Sequence, residues 1–262
     1  MLNKIIENKR KEVELAKKQT PLDSFKSKII KSTRSFKDAL SKNKLNLIAE
    51  FKRNSPSKNI QEKDFDIKKI INIYNKYADA VSVLTDSKFF SGSLGDMKEV
   101  SNLTNLPILR KDFIIDEYQI HEARFYNADA LLLIASVLSG EQINNFIDVA
   151  NDYKMNCLVE VHTEDELNKV LKTKAQIIGI NNRNLDTLEI DLNTTLRIAD
   201  KIPSDRIIVS ESGIKDKDYV NKIKDKVNAI LVGSQFMNSD NLEEDMKNLI
   251  NNFIVTNDSE RI

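Results

Sequence analysis

The sequence has one cysteine, Cys157, no tryptophan and only two histidines, His121 and His162. A single thiol excludes an internal disulfide and any cysteine-based zinc site, and it suits a reducing compartment. Two distant histidines do not make a metal centre, so no metal is expected. Without tryptophan, any indole fluorescence would have to come from a ligand. No run of about eighteen apolar residues occurs, so no membrane span is expected. The first residues, "MLNKIIENKRKEVELAKK", scatter charge throughout and hold no apolar run of signal-peptide length. No surplus of either charge exists: forty basic residues face forty acidic ones, for a formal net charge of zero. That balance argues against nucleic acid or an anionic membrane as partner. A cytoplasmic, globular protein is expected.

What is present is a recurring pattern. The chain has 262 residues, 40% of them hydrophobic, enough for a sizeable core in a single domain spanning 1–262. Short runs rich in Ile, Val and Leu return every 20 to 30 residues or so, the period of a strand–helix unit. They are "LNLIAEFK" (45–52), "AVSVLTD" (80–86), "PILRKDF" (107–113) and "ADALLLIAS" (128–136). "NCLVEV" (156–161), "QIIGINNR" (176–183), "RIIVSESG" (206–213) and "AILVGSQF" (229–236) complete a set of eight. Amphipathic stretches at helical spacing lie between them, as with Ile67, Ile70, Ile71 and Tyr74, and several open on Ser, Thr or Asp caps. Near-continuous apolar strands alternating with helices indicate a parallel sheet covered by helices. Eight units favour a closed (β/α)8 TIM barrel over an open doubly wound sheet, and no G-x-G-x-x-G follows the first strand. Residues 1–44 read as an N-terminal extension of two helices, 3–18 and 21–40, covering the barrel. No low-complexity linker interrupts the chain.

The polar residues fall at the strand ends. Strand one ends in Glu50 and Lys52, strand three in Lys111, strand five in Glu160, and strand six in Asn181 and Arg183. Strand seven ends in Glu211, Ser212 and Gly213, strand eight in Gly233 and Ser234. Side chains alternate along a strand, so Glu50 shares a face with Lys52, and Asn181 with Arg183. The C-terminal strand ends of a barrel form one mouth, where its active sites lie. Two readings stand side by side: a catalytic pocket, or an ion-pair network whose charges satisfy one another. The Gly-Ser pairs after strands seven and eight would let backbone N–H groups meet a phosphate, although turn glycines alone are commonplace.

Other residues point less sharply. His121 sits within a helix and reads as a helix-face residue. His162 shares the face of Glu160 just past strand five, and reads as scaffold near the rim. Spacing suggests no Ser-His-Asp arrangement. Phe89 and Phe90, adjacent in a loop after strand two, read equally as a wall for an aromatic substrate and as loop packing.

At these same positions the chain resembles a known family. "IAEFKRNSPSK", "VSVLTDSKFFSGS", "PILRKDFI", "LVEVH", "GINNRNL", "VSESGI" and "VGSQFM", in that order between about residues 45 and 237, are similar to indole-3-glycerol-phosphate synthase. The resemblance implies a barrel enzyme that closes the pyrrole ring of 1-(2-carboxyphenylamino)-1-deoxyribulose 5-phosphate in tryptophan biosynthesis. Carbon dioxide and water would leave, with no cofactor. By motif position Lys111 resembles the general acid and Glu160 a carboxylate moving protons in dehydration. Lys52 and Glu50 resemble the strand-one pair, and Asn181 joins the catalytic set. Ser55, Arg183, Glu211, Ser212, Gly213, Leu231, Gly233 and Ser234 resemble substrate and phosphate contacts, with Phe89 and Phe113 around the anthranilate ring. Asn59 and Asn127 replace glycines that the family often has, and both tolerate left-handed backbone. A monomer of one barrel is expected, without the fused second enzyme of some members. The rivals are a sugar-phosphate isomerase or Schiff-base aldolase barrel, and an inactive phosphate-binding barrel.

Overall fold

The computed structural model describes residues 1–54, 66–215 and 217–254. Ser55 and Asn59, both singled out by the motif comparison, lie outside the described residues. Eight parallel strands close on one another in chain order: β1 (Asn46–Phe51), β2 (Ala80–Leu84), β3 (Ile108–Lys111), β4 (Ala130–Ile134), β5 (Asn156–Val161), β6 (Ile177–Asn181), β7 (Ile207–Glu211) and β8 (Ala229–Val232). The ring shuts where Asn46 of β1 registers with Ala229 of β8 and Ala49 with Val232. No helix among the described residues is long and apolar enough to cross a membrane.

Alternation splits each strand between two cores. Leu47, Ala49 and Phe51 of β1 join the layer between strands and helices, whereas Ile48 joins the barrel interior. Leu109, Leu132, Leu158, Ile177, Val209 and Leu231 also fill that interior. A period of two then carries the inward face on to Glu50, Lys111, Glu160, Asn181 and Glu211 at the strand ends. The helices are capped by the side chains their sequences offer. Asp66, Asp86, Ser93 and Thr163 each accept from the backbone N–H three residues on, and Ser139 with Gln142 forms a capping box. Asn127 has a φ of 71°, so the amide residue does occupy a left-handed turn before β4.

The extension differs from its expected pair of helices. A helix spans Leu2–Gln19, but beyond Pro21 there are only two 3-10 turns, Leu22–Ser24 and Lys26–Lys28, and a short helix Phe36–Ala39. The β-branched Ile29 and Ile30 disfavour a helix there. Ser32 then competes with helical bonding: its hydroxyl donates to Asp129 Oδ1 at 2.7 Å and accepts from the Arg34 N–H at 3.1 Å. The segment is thereby free to run down the flank of the barrel. Phe25 packs against Tyr118 and Phe125 on the way, and Phe36 and Leu40 join the barrel-interior core.

The first helix is fixed by a buried charge. Lys9 Nζ lies 2.8 Å from Asp86 Oδ2 just after β2 and 2.9 Å from Asp112 Oδ1 just after β3. Asp112 also takes Arg110 at 3.0 Å and the Thr85 hydroxyl at 2.6 Å. Burial opposes these charges, but the surrounding partners hold Lys9 above and Asp112 below their ordinary ranges. Docked this way, the helix brings Leu2 and Ile5 over the C-terminal end of the barrel.

Candidate active site

A cavity of about 490 Å³ opens at the C-terminal ends of the strands. Its floor holds Glu50, Lys52, Lys111, Glu160 and Asn181, and Arg183 stands in its wall. Lys111 is the hub. Its Nζ lies 2.8 Å from Glu211 Oε2, 3.8 Å from Glu50 Oε2 and 3.9 Å from Glu160 Oε2, so four strands meet at one ammonium. Lys52 Nζ donates to Glu50 Oε1 at 2.9 Å and to Ser234 Oγ at 2.8 Å, tying β1 to the turn after β8.

Two glycines make room for these carboxylates. A Cβ on Gly233 would stand 2.2 Å from Glu50 Oε1, and one on Gly179 would stand 2.1 Å from Glu211 Oε1. Gly213 has its own packing reason, since its φ is +79° and a Cβ would meet Ile190 Cγ2 at 2.6 Å. The glycines after strands seven and eight are therefore needed by the scaffold, whatever they also do for a ligand.

The electrostatics separate the four ionisable groups. Burial acts against the Lys111 ammonium, but Glu211, Glu50 and Glu160 outweigh it and push its pKa above the ordinary lysine value. Burial would raise Glu160, yet His162, Lys111 and the Asn181 amide hold it down at about 2. Burial would raise Glu50 as well, and Lys52 and Lys111 keep it below the usual carboxylate range. Glu211 goes the other way. Its burial, with Glu160 and Glu50 nearby, outweighs Lys111 and lifts it to about 7, and its Oε1 has no hydrogen-bond partner among the described residues. The floor thus offers the Lys111 cation and two firm carboxylates, and behind Lys111 a fully buried carboxyl whose hold on a proton is raised.

The remaining wall is apolar. Phe90, Phe113, Leu132, Ile134 and Leu231 line it, and the Phe90 and Phe113 rings stand 6.2 Å apart. Ser212, Gly213, Gly233 and Ser234 line the opposite rim. Leu2 and Ile5 come from the first helix, and Leu185, Leu188 and Ile190 from the segment after β6. Arg183 Nη1 donates to the Leu188 carbonyl at 2.9 Å, which props that segment against the mouth.

One aromatic pair departs from the sequence expectation. Phe90, not Phe89, lines the cavity, because residues Ser87–Phe90 form a helical turn and adjacent side chains on it diverge. His121 is a buried helix residue whose Nδ1 lies 2.8 Å from the Tyr153 hydroxyl, away from the mouth. His162 stands nearer the cavity floor than a rim position implies, with Nε2 at 3.3 Å from Glu160 Oε1. The period of two from Glu160 was the available signal for that contact. The mouth residues Leu2 and Ile5 had no local signal at all.

Known proteins resemble this chain along nearly its whole length. The model of a family described as indole-3-glycerol phosphate synthase matches residues 2–249. The indole-3-glycerol phosphate synthase of Endomicrobium trichonymphae is 44% identical over 255 residues, covering 95% of this chain and 99% of that protein. Its namesake from Caldanaerobacter subterraneus subsp. tengcongensis is 43% identical, covering 92% of this chain and 94% of the relative. The tryptophan biosynthesis protein TrpCF of Buchnera aphidicola subsp. Acyrthosiphon pisum is 44% identical, and the match covers 95% of this chain but 55% of that protein. Among solved structures, thiamine phosphate pyrophosphorylase from Pyrococcus furiosus superposes with a TM-score of 0.59 at 17% identity, over 80% of this chain and 96% of the other. At that identity the likeness speaks for the fold alone.

Proposed function

Since the chain belongs to the indole-3-glycerol phosphate synthase family, we propose that this cavity converts 1-(2-carboxyphenylamino)-1-deoxyribulose 5-phosphate to indole-3-glycerol phosphate. The enzyme is a carboxy-lyase of tryptophan biosynthesis acting on a small molecule. The observation that carries the division of roles is the convergence of Glu50, Glu160 and Glu211 on the Lys111 ammonium.

The aromatic carbon bearing the carboxylate attacks the ribulose carbonyl, and negative charge grows on the carbonyl oxygen. Lys111, held protonated, donates to that oxygen, and Glu211 stands beside it to restore the proton. Carbon dioxide then leaves from the same ring carbon, which restores the aromatic ring. Dehydration needs a base and an acid. Glu160, held ionised, takes the proton, and Lys52 beside Glu50 gives one to the departing hydroxide. Asn181 orients Glu160, and Arg183 faces the substrate carboxylate. Phe90, Phe113 and Leu231 support the anthranilate ring, while Ser212, Gly213, Gly233 and Ser234 receive the phosphate. Water kept off the ring by this apolar wall would otherwise weaken each of these charge contacts.

The same reading has the protein act as a cytoplasmic monomer, and its charge balance supports a protein that does not engage nucleic acid. A Schiff-base route through Lys111 is disfavoured, because a lysine kept as ammonium has no lone pair for carbonyl attack. Mixing the protein with the anthranilate-derived ribulose phosphate should produce indole fluorescence with no tryptophan background. Lys111→Ala should lower turnover by roughly a thousandfold while changing substrate affinity only a few-fold. Equal turnover in both proteins would refute the assignment of the acid.

A further inference from the structure

Glu160 does not stand alone at the end of β5. His162 lies two residues on, on the same face, and its Nε2 is 3.3 Å from Glu160 Oε1, an ion-pair contact rather than an aligned hydrogen bond. The other oxygen of Glu160 is the one that faces Lys111, at 3.9 Å. The carboxylate is therefore held between an imidazole and an ammonium, one oxygen to each. Behind the imidazole stands Glu166, in the first turn of the helix Glu164–Val170, with Oε2 at 3.2 Å from His162 Nδ1. The same Oε2 accepts from the His162 backbone N–H at 2.6 Å, and the Glu166 N–H donates to the Thr163 hydroxyl at 3.2 Å. The capping turn thus fixes Glu166, Glu166 fixes the ring, and the ring fixes Glu160. The charged groups facing His162 are Glu160 and Glu166, and Lys111 of β3 and the Asn181 amide of β6 face Glu160.

We propose that His162, held in place by Glu166, is a positioning residue that orients Glu160 for proton transfer. The proposal rests on the reading of Glu160 as the base of the dehydration. Burial works against a charged ring, but the two carboxylates outweigh it and lift His162 to about 10. The cation is needed because Lys111 is shared among three carboxylates and is closest to Glu211. Without His162, Glu160 becomes a buried carboxylate with part of one counter-charge and two like charges beyond it, and it takes up a proton closer to neutrality. A protonated Glu160 cannot act as the base.

Two variants and two readouts test this. His162→Asn keeps a polar neighbour without the charge. Glu166→Gln keeps an oxygen for the His162 backbone N–H and removes only the charge. The first readout is kcat and KM across pH, from indole fluorescence. Glu160 should take up its proton about two pH units or more higher in His162→Asn, which brings an acid limb of kcat into the range where the folded protein is assayed. The shift should be smaller in Glu166→Gln, with KM within about twofold in both. Adding Glu166→Gln to His162→Asn should shift the limb no further, since Glu166 acts only through the ring. The second readout is proton NMR of the imidazoles, simple in a chain with two histidines. His162 should stay protonated through neutral pH and titrate lower in Glu166→Gln. An ordinary His162 titration, or an acid limb unmoved in His162→Asn, overturns the proposal. Absence of turnover in the unmodified protein would instead overturn the reading of function, and the NMR result would stand apart from it.

Discussion

Gly233→Ala places one methyl group against the centre of the site. The new Cβ would stand 2.2 Å from Glu50 Oε1, 2.8 Å from Glu50 Cδ and 3.0 Å from Glu50 Cβ. Ordinary contact between such atoms begins at about 3.5 Å, so the carboxylate has to retreat by more than 1 Å or so. The Lys52 ammonium now bonds that oxygen at 2.9 Å, and a retreat of this size takes it out of hydrogen-bond reach. Losing a charge-assisted bond costs about 1.5–3 kcal/mol, and overpacking a filled site about 1–3 kcal/mol. We expect an unfolding free energy lower by about 2.5–6 kcal/mol and, from the misplacement of a charged pair, kcat/KM lower by roughly a hundredfold. Denaturant unfolding and the indole fluorescence assay measure the two. In a Glu50→Ala background the carboxylate is gone and only the 3.0 Å contact with the Cβ at position 50 is left, so Gly233→Ala should then cost clearly less stability than in the unmodified protein. Near-normal kcat/KM in Gly233→Ala, or an undiminished stability cost in the Glu50→Ala background, would refute the packing relation on which the estimate rests.

Lys9→Met should lower unfolding free energy by about 3 kcal/mol in denaturant titration at neutral pH, the lower end of the range for breaking a buried ion pair, because Asp112 keeps Arg110 while Asp86 loses its cation; a loss under about 1 kcal/mol would refute the docking role. Phe90→Ala should raise KM roughly tenfold and Phe89→Ala no more than about twofold, measured from the same fluorescence, since only Phe90 lines the cavity. Matching effects from the two would contradict that wall assignment.

The barrel and the convergence of most of the candidate site residues could be read from the chain because both depend on a short period. Ile48, Glu50 and Lys52 fall on one face by alternation alone, and the parallel register of neighbouring strands then aligns their ends. What escaped depends on contacts without such a period. The segment 21–40 reads helical by its charge and apolar spacing, yet Ile29, Ile30 and Ser32 favour an extended path that partners far along the chain, Arg124, Asp129 and Tyr153, reward. Phe89 and Phe90 are equivalent in sequence, and a single helical turn decides between them. Lys9 looks like one of many surface lysines until Asp86 and Asp112 close around it. Ser212 and Gly213 both take positive φ, a constraint that hides within a motif also suited to binding an anion.

The seam between β1 and β8 joins residues roughly 180 positions apart. While the ribosome is still producing the later units, β1 can pair only with β2, and its other edge is left without partners. At about 5–20 residues per second that interval lasts on the order of ten to thirty seconds. The open edge is a growing chain's point of exposure to wrong pairing with its neighbours, so chaperone demand for this protein should peak before residue 232 is released and fall once the ring can shut.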